Sequence, residues 1–146
     1  MPQFSRTTTT DWTGTLMEGN GQVKAGTGAF SLPVSFPRRI GEPGGATSPE
    51  ELIAAAHGAC YAMVIAGALA KNNASASRHS VTCTVTADKS DAGIKITTSK
   101  LHVTVEGLSG MDKDKFVTTA NDAEKGCPVS NALRGSLNIE VEVTVK

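Results

Sequence analysis

Three side chains in this sequence could form covalent bonds with a substrate or with each other: Cys60, Cys83 and Cys127. A thiolate is a nucleophile, a redox centre or a metal ligand, and its surroundings decide which. Cys60 stands midway along "TSPEELIAAAHGACYAMVIAGALAK", residues 47–71, where no side chain from Leu52 to Ala70 is formally charged. Its neighbours at helical spacing include Ile53, His57, Val64 and Gly67. Read in isolation, that setting favours a small core hydrophobe, because burial raises a thiol's pKa and silences it. Reactivity would need a fixed cation close by, either His57 or the consecutive Arg38 and Arg39 on the preceding Gly/Pro-rich loop. Cys127 lies in "KGCPVSNAL", between a glycine that can stop one helix and a proline that can begin the next turn. Backbone N–H groups at a helix start favour thiolate, and a plain corner-filling role is equally open. Cys83 alternates with Val81, Val85 and Ala87 and reads as core. Close-spaced metal-ligand pairs are absent, so no metal is expected.

The elements that must position these groups carry clear punctuation. "TTTTDWTG" is β-branched and "GNG" at 19–21 and "GTG" at 26–28 signal tight turns, which predicts short strands over 22–25 and 29–36 in an antiparallel sheet. Pro37 ends the last of these, and "PRRIGEPGGATS" reads as an irregular loop. A helix then starts at Pro49 with Ser48 as N-cap and Glu51 completing a capping box, and it runs to Lys71. Strands follow in "HSVTCTVTAD" and through Ile94, Ile96, Leu101, Val103 and Val105, whose parity changes and so predicts a bulge near 98–100. Asp112 caps a second helix that Gly126 stops, "PVSNALRG" is a short turn, and Leu137 to Val145 alternate as a last strand. The pattern is α+β in a single domain over 1–146: antiparallel sheets around a long central helix. A helix apolar nearly all round needs cover on every side, and a second copy of the chain in a symmetric dimer would supply it.

Totals exclude several functions. Fourteen basic and fourteen acidic residues cancel, and one tryptophan, one tyrosine and four phenylalanines offer little for base stacking. No nucleic-acid partner is expected. The uncharged run is nearly long enough for a bilayer, but its alanine-rich composition and unbelted flanks argue for a buried helix and no membrane. An odd cysteine count and an N-terminus unlike a signal peptide predict a cytoplasmic protein with reduced thiols.

"FPRR", "SPEELIAAAHGACYAM" and "KGCPVSNAL" together resemble the osmotically inducible protein C (OsmC) family, which is similar to the organic-hydroperoxide-resistance proteins. The likeness runs from about Phe36 to the C-terminus. It implies an intertwined α+β homodimer with active sites at the subunit interface, and a thiol peroxidase that uses no cofactor in oxidative and osmotic stress defence. By the same resemblance Cys60 matches the peroxidatic cysteine and Cys127 the resolving one. Glu50 matches the family glutamate, and the family arginine falls at Arg39, with Arg38 left open by a one-residue gap. Cys83 matches no catalytic position.

The implied chemistry is attack by Cys60 thiolate on an organic hydroperoxide, then a Cys60–Cys127 disulfide reduced by an external dithiol of lipoyl type or a small thiol. Phe36, His57, Met63 and Val64 would line the substrate pocket. Glu50 and Cys60 are separated by roughly 15 Å along one helix. An arginine oriented by Glu50 beside Cys60 therefore predicts that Glu50 comes from the partner subunit. Two rivals stand beside this reading. A Cys–His hydrolase would use His57 as base, although mid-helix N–H groups offer no oxyanion hole. A non-catalytic domain would leave Cys60 a buried filler.

Overall fold

The computed structural model describes residues 2–146. Its contacts divide into two units, one reaching to Leu52 and the other spanning Ile53–Lys146.

In the first unit the threonine run forms β1 (Thr8–Thr13), which pairs antiparallel with β2 (Asn20–Ala25), and β2 pairs in turn with β3 (Ser31–Val34). The turn expected at 26–28 is present, with Gly28 at φ +83° and the Ala25 N–H donating to the Phe30 carbonyl at 2.9 Å. The one expected at 19–21 lies earlier. Asn20 and Gly21 already pair with Thr13 and Trp12, and Gly14 makes the bend at φ +93°, a conformation that favours glycine. Pro33 is tolerated because β3 is an edge strand. The loop after it is not wholly irregular, because Phe36–Ile40 forms a short helix, α1. Pro37 falls in its first turn, where the missing N–H is no loss.

The central helix α2 (Pro49–Lys71) opens at the end of this unit. The Ser48 hydroxyl accepts from the Glu51 N–H at 3.1 Å, and the Ser48 carbonyl accepts the first helical bond from Leu52. The capping box is half made, because Glu51 Oε1 takes a hydrogen bond from the Thr47 hydroxyl instead of turning back to Ser48.

The second unit is built on β4 (Arg78–Ser90), β5 (Gly93–Glu106) and β6 (Asn138–Val145), with β5 in the middle. β4 and β5 are antiparallel, whereas β6 runs parallel to β5 and so requires a crossover. That crossover holds α3 (Lys113–Glu124) and α4 (Pro128–Leu133). Thr86 pairs with Thr98 and Ala87 with Ile96, which leaves Thr97 as the extra residue of a bulge just before the expected place. Beyond it Ser99, Leu101, Val103 and Val105 share one fully buried face. α2 meets that face with a single stripe, His57, Tyr61, Ile65 and Leu69, and Phe116 and Ala120 of α3 close the core. By length and composition α2 could cross a membrane, but its stripe forms the core of this unit. Its other faces are less covered, and Met63 is 74% exposed.

Asp112 caps α3 as expected, accepting from the Lys115 N–H at 2.7 Å. The helix ends without a left-handed glycine: Lys125 is the C-cap in right-handed conformation, and the Gly126 N–H bonds the Ala123 carbonyl. "PVSNALRG" is not merely a turn. Its first six residues are α4, with Cys127 as N-cap and Pro128 in the first turn.

Candidate active site

In the first unit α1 presents two arginines in its last turn, and their surroundings separate them. Arg39 reaches Glu50 in the first turn of α2, with Nη2 at 2.6 Å from Oε1 and Nε at 3.1 and 3.2 Å from the two carboxylate oxygens. This forked, charge-assisted contact holds the Glu50 carboxyl below the usual carboxylate range and raises the guanidinium further. Arg38 instead donates to the Pro43 and Gly44 carbonyls, where it braces the loop. Within the chain, the arginine that Glu50 holds is therefore Arg39 and not Arg38. The same guanidinium lines a cavity of about 380 Å³ with Thr10, Trp12, Val34, Phe36 and Leu52.

In the second unit Cys127 is fully buried and Cys60 packs, half-buried, against the cluster that contains it. The two thiols are neighbours. Burial pushes the Cys60 pKa up and the adjacent Cys127 thiol adds to the rise, while the backbone N–H of Val129 in α4 opposes it. Taken alone this pocket favours thiol over thiolate, so a reactive Cys60 needs a cation from elsewhere.

His57 is not that cation. It is completely enclosed, with Nδ1 2.6 Å from the Ser99 hydroxyl and Nε2 2.7 Å from the Ser130 hydroxyl. Burial lowers its pKa and keeps the ring neutral. Expected on a pocket wall, or as the base of a hydrolase, it has no open face for a substrate and no nitrogen left for Cys60. Of the other expected lining residues, Phe36 faces the cavity beside Arg39, Val64 is half-buried against the core of the second unit, and Met63 is exposed. Cys83 is half-buried as a core thiol, 3.3 Å from the Ser99 hydroxyl.

Four contacts around the thiols have no motif in the sequence: the two serines on His57, the buried Glu124 bonded to Arg134 at 2.8 Å, and the Tyr61 hydroxyl donating to the Ala120 carbonyl at 2.6 Å. Ser99 carries a signal in the sequence. It is a polar residue in step with Leu101 and Val103 on an apolar strand face, and a buried hydroxyl there needs a partner. Among the described residues no three His, Cys, Asp or Glu side chains converge as a metal site would require.

A family model described as OsmC-like protein matches residues 41–142. Peroxiredoxin OsmC of Escherichia coli (strain K12) is 34% identical over 134 residues, which cover 90% of this chain and 92% of that one. An organic hydroperoxide resistance protein-like 2 of Staphylococcus epidermidis is 32% identical over 130 residues, 87% of this chain and 89% of its own. The crystal structure of an organic hydroperoxide resistance protein OsmC from Legionella pneumophila matches the fold with a TM-score of 0.74 at 29% identity, over 94% of this chain and 96% of that one. With a family match over most of its length and relatives about one-third identical along nearly all of it, this chain belongs to the OsmC-like protein family.

Proposed function

We propose that the protein is a cysteine-based peroxidase that reduces organic hydroperoxides to alcohols in defence against oxidative and osmotic stress. The observation that carries the reading is the adjacency of the Cys60 and Cys127 thiols in an apolar setting. Relatives named for peroxiredoxin activity and for organic hydroperoxide resistance support it.

In this mechanism the Cys60 thiolate attacks the outer oxygen of ROOH. The O–O bond breaks, oxygen stays on sulfur as a sulfenic acid, and the departing alkoxide takes a proton to leave as ROH. The Cys127 thiol then attacks the sulfenic sulfur, which forms the disulfide and releases water. An external dithiol, of lipoyl type or a small thiol, returns both cysteines to the reduced state. Arg39, held by Glu50, offsets the cost of an ionised Cys60 in apolar surroundings and stabilises the developing alkoxide. The organic group of the substrate rests on the apolar wall around Phe36, with Met63 and Val64 near the sulfur.

Arg39 and Glu50 travel as one pair, and roughly 15 Å of helix separates Glu50 from Cys60. A homodimer with antiparallel central helices would bring the pair of one protomer to Cys60 of its partner. The exposed apolar faces of α2 support that assembly. The locked His57 removes the support for a Cys–His hydrolase. Reduced thiols in odd number fit a cytoplasmic location.

The test is intact mass and peptide mapping after treatment with tert-butyl hydroperoxide. The protein should lose two hydrogens and gain a link between the Cys60 and Cys127 peptides. Cys127→Ser should stop at a sulfenic acid on Cys60, and Cys60→Ser should consume no peroxide. Unchanged mass in the unaltered protein would end the peroxidase reading.

A further inference from the structure

His57 is the most thoroughly engaged polar side chain near the thiols, and the chemistry above gives it no task. It is one helical turn before Cys60 on α2, with 0% of its surface exposed. Its close partners come from two other elements, Ser99 from β5 at 2.6 Å and Ser130 from α4 at 2.7 Å, both also fully buried, and Cys83 Sγ of β4 lies 3.9 Å from the same Nδ1 that meets Ser99. A neutral imidazole donates at one nitrogen and accepts at the other, so the ring and both hydroxyls fix one another's orientation. Ser130 lies one turn after Cys127, the N-cap of α4. The His57–Ser130 bond thus ties the helix carrying one thiol to the helix carrying the other. The far end of α4 is held separately, where Arg134 reaches Glu124 of α3 at 2.8 Å.

We propose that His57 is a positioning residue which, through Ser130, registers α4 against α2 and keeps Cys127 within reach of a sulfenic acid formed on Cys60. The inference rests on the peroxidase reading and adds to it a group that touches neither substrate nor the reacting sulfurs. A sulfenic acid on Cys60 has two fates. Attack by the Cys127 thiol yields disulfide and water, whereas attack on a second ROOH yields sulfinic acid and ROH. The first is intramolecular, so its rate follows how closely and how often Cys127 is presented. Loosening α4 slows that step and shifts the partition toward sulfinic acid.

The test is rapid mixing of the full chain with tert-butyl hydroperoxide, followed by acid quench and intact mass, which separates sulfenic, disulfide and sulfinic forms. Ser130→Ala should slow disulfide closure about tenfold, the consequence of one lost buried hydrogen bond, and raise the sulfinic fraction at excess peroxide. Sulfenic acid formation should slow only about twofold, because the backbone of Val129, which favours the Cys60 thiolate, also moves with α4. Ser99→Ala loosens the ring from the β5 side but leaves the His57–Ser130 link itself, with Cys83 Sγ still 3.9 Å from Nδ1, and should slow closure by no more than about threefold. His57→Gln, whose amide cannot span both serines, is the second route and should match Ser130→Ala. Equal slowing by Ser99→Ala and Ser130→Ala would overturn the proposal, because it would signify general loosening. So would prompt sulfenic acid followed by closure at the unaltered rate in both Ser130→Ala and His57→Gln. Absence of sulfenic acid in the unaltered protein would instead sink the peroxidase reading itself.

Discussion

Adjacent arginines on α1 look interchangeable by position, yet their partners differ in kind. Arg38 spends its donors on backbone carbonyls of its own loop, while Arg39 meets a carboxylate in forked geometry beside a cavity. In the proposed mechanism only the second can stabilise charge at the reacting centre. Arg39→Ala should lower the peroxidase rate by about 10² to 10³, the cost of one preorganised donor at a developing anion. Arg38→Ala should stay within about threefold, since a surface loop contact contributes little. Steady-state rates with cumene hydroperoxide decide the matter, and equal losses would remove the distinction. The same substitution at Arg39 should move the pH of half-maximal Cys60 alkylation upward by about one unit. His57 gives a separate prediction. Burial holds its pKa below the ordinary value of about 6.5. As pH falls through that value the unfolded chain binds this proton before the folded one, so stability is full above about 6.5 and declines below it. His57→Gln lacks this component, and its stability deficit should narrow between pH 7 and pH 5. Urea denaturation at both values measures it, and a constant deficit would contradict the assignment.

At the scale of elements, caps and crossovers place the chemistry. The start of α2 does two things at once: Ser48 closes the first turn while Glu50, one step inside, anchors Arg39. Ser48→Ala should cost about 1 kcal/mol of stability. It should leave peroxide chemistry largely intact, because Arg39 is the chief partner of the Glu50 carboxylate and the Ser48 hydroxyl is the smallest contributor to it. Chemical denaturation and a rate assay separate the two effects. The crossover from β5 to β6 matters for the other half of the site. It carries Cys127 at the junction of α3 and α4, and the Tyr61 hydroxyl on the Ala120 carbonyl seats α3 against α2. The capped ends of α2 and α3 were legible from Ser48, Glu51 and Asp112. α1 and α4 were not, because five or six residues are too few for a periodicity to emerge and each carries in its first turn a proline that also signals a break.

At the scale of the whole molecule, α2 is the feature a single chain leaves unfinished. Its buried stripe is narrow, and residues such as Met63 point apolar surface outward. In the proposed dimer that surface is the interface, and it also delivers the cation that Cys60 lacks. Met63→Lys should therefore convert the protein to monomer in sedimentation velocity and depress peroxidase activity together. Loss of the dimer with full activity retained would show that one protomer completes its own site.

From the amino-acid sequence alone came the α+β class, the long capped helix, and two cysteines in separate motifs together with the family they resemble. Those features are local, written in hydrophobic period, cap residues and short runs, so they can be read without knowing what lies across the core. Tertiary structure decided that Cys60 and Cys127 are neighbours, that Arg39 and not Arg38 holds Glu50, and that His57 is locked between Ser99 and Ser130. Each of these joins side chains from different elements. Where such side chains meet depends on strand register, including the single extra residue at Thr97, and on how the crossover returns to the sheet. No stretch of sequence encodes that meeting, because it is a property of the packed elements jointly.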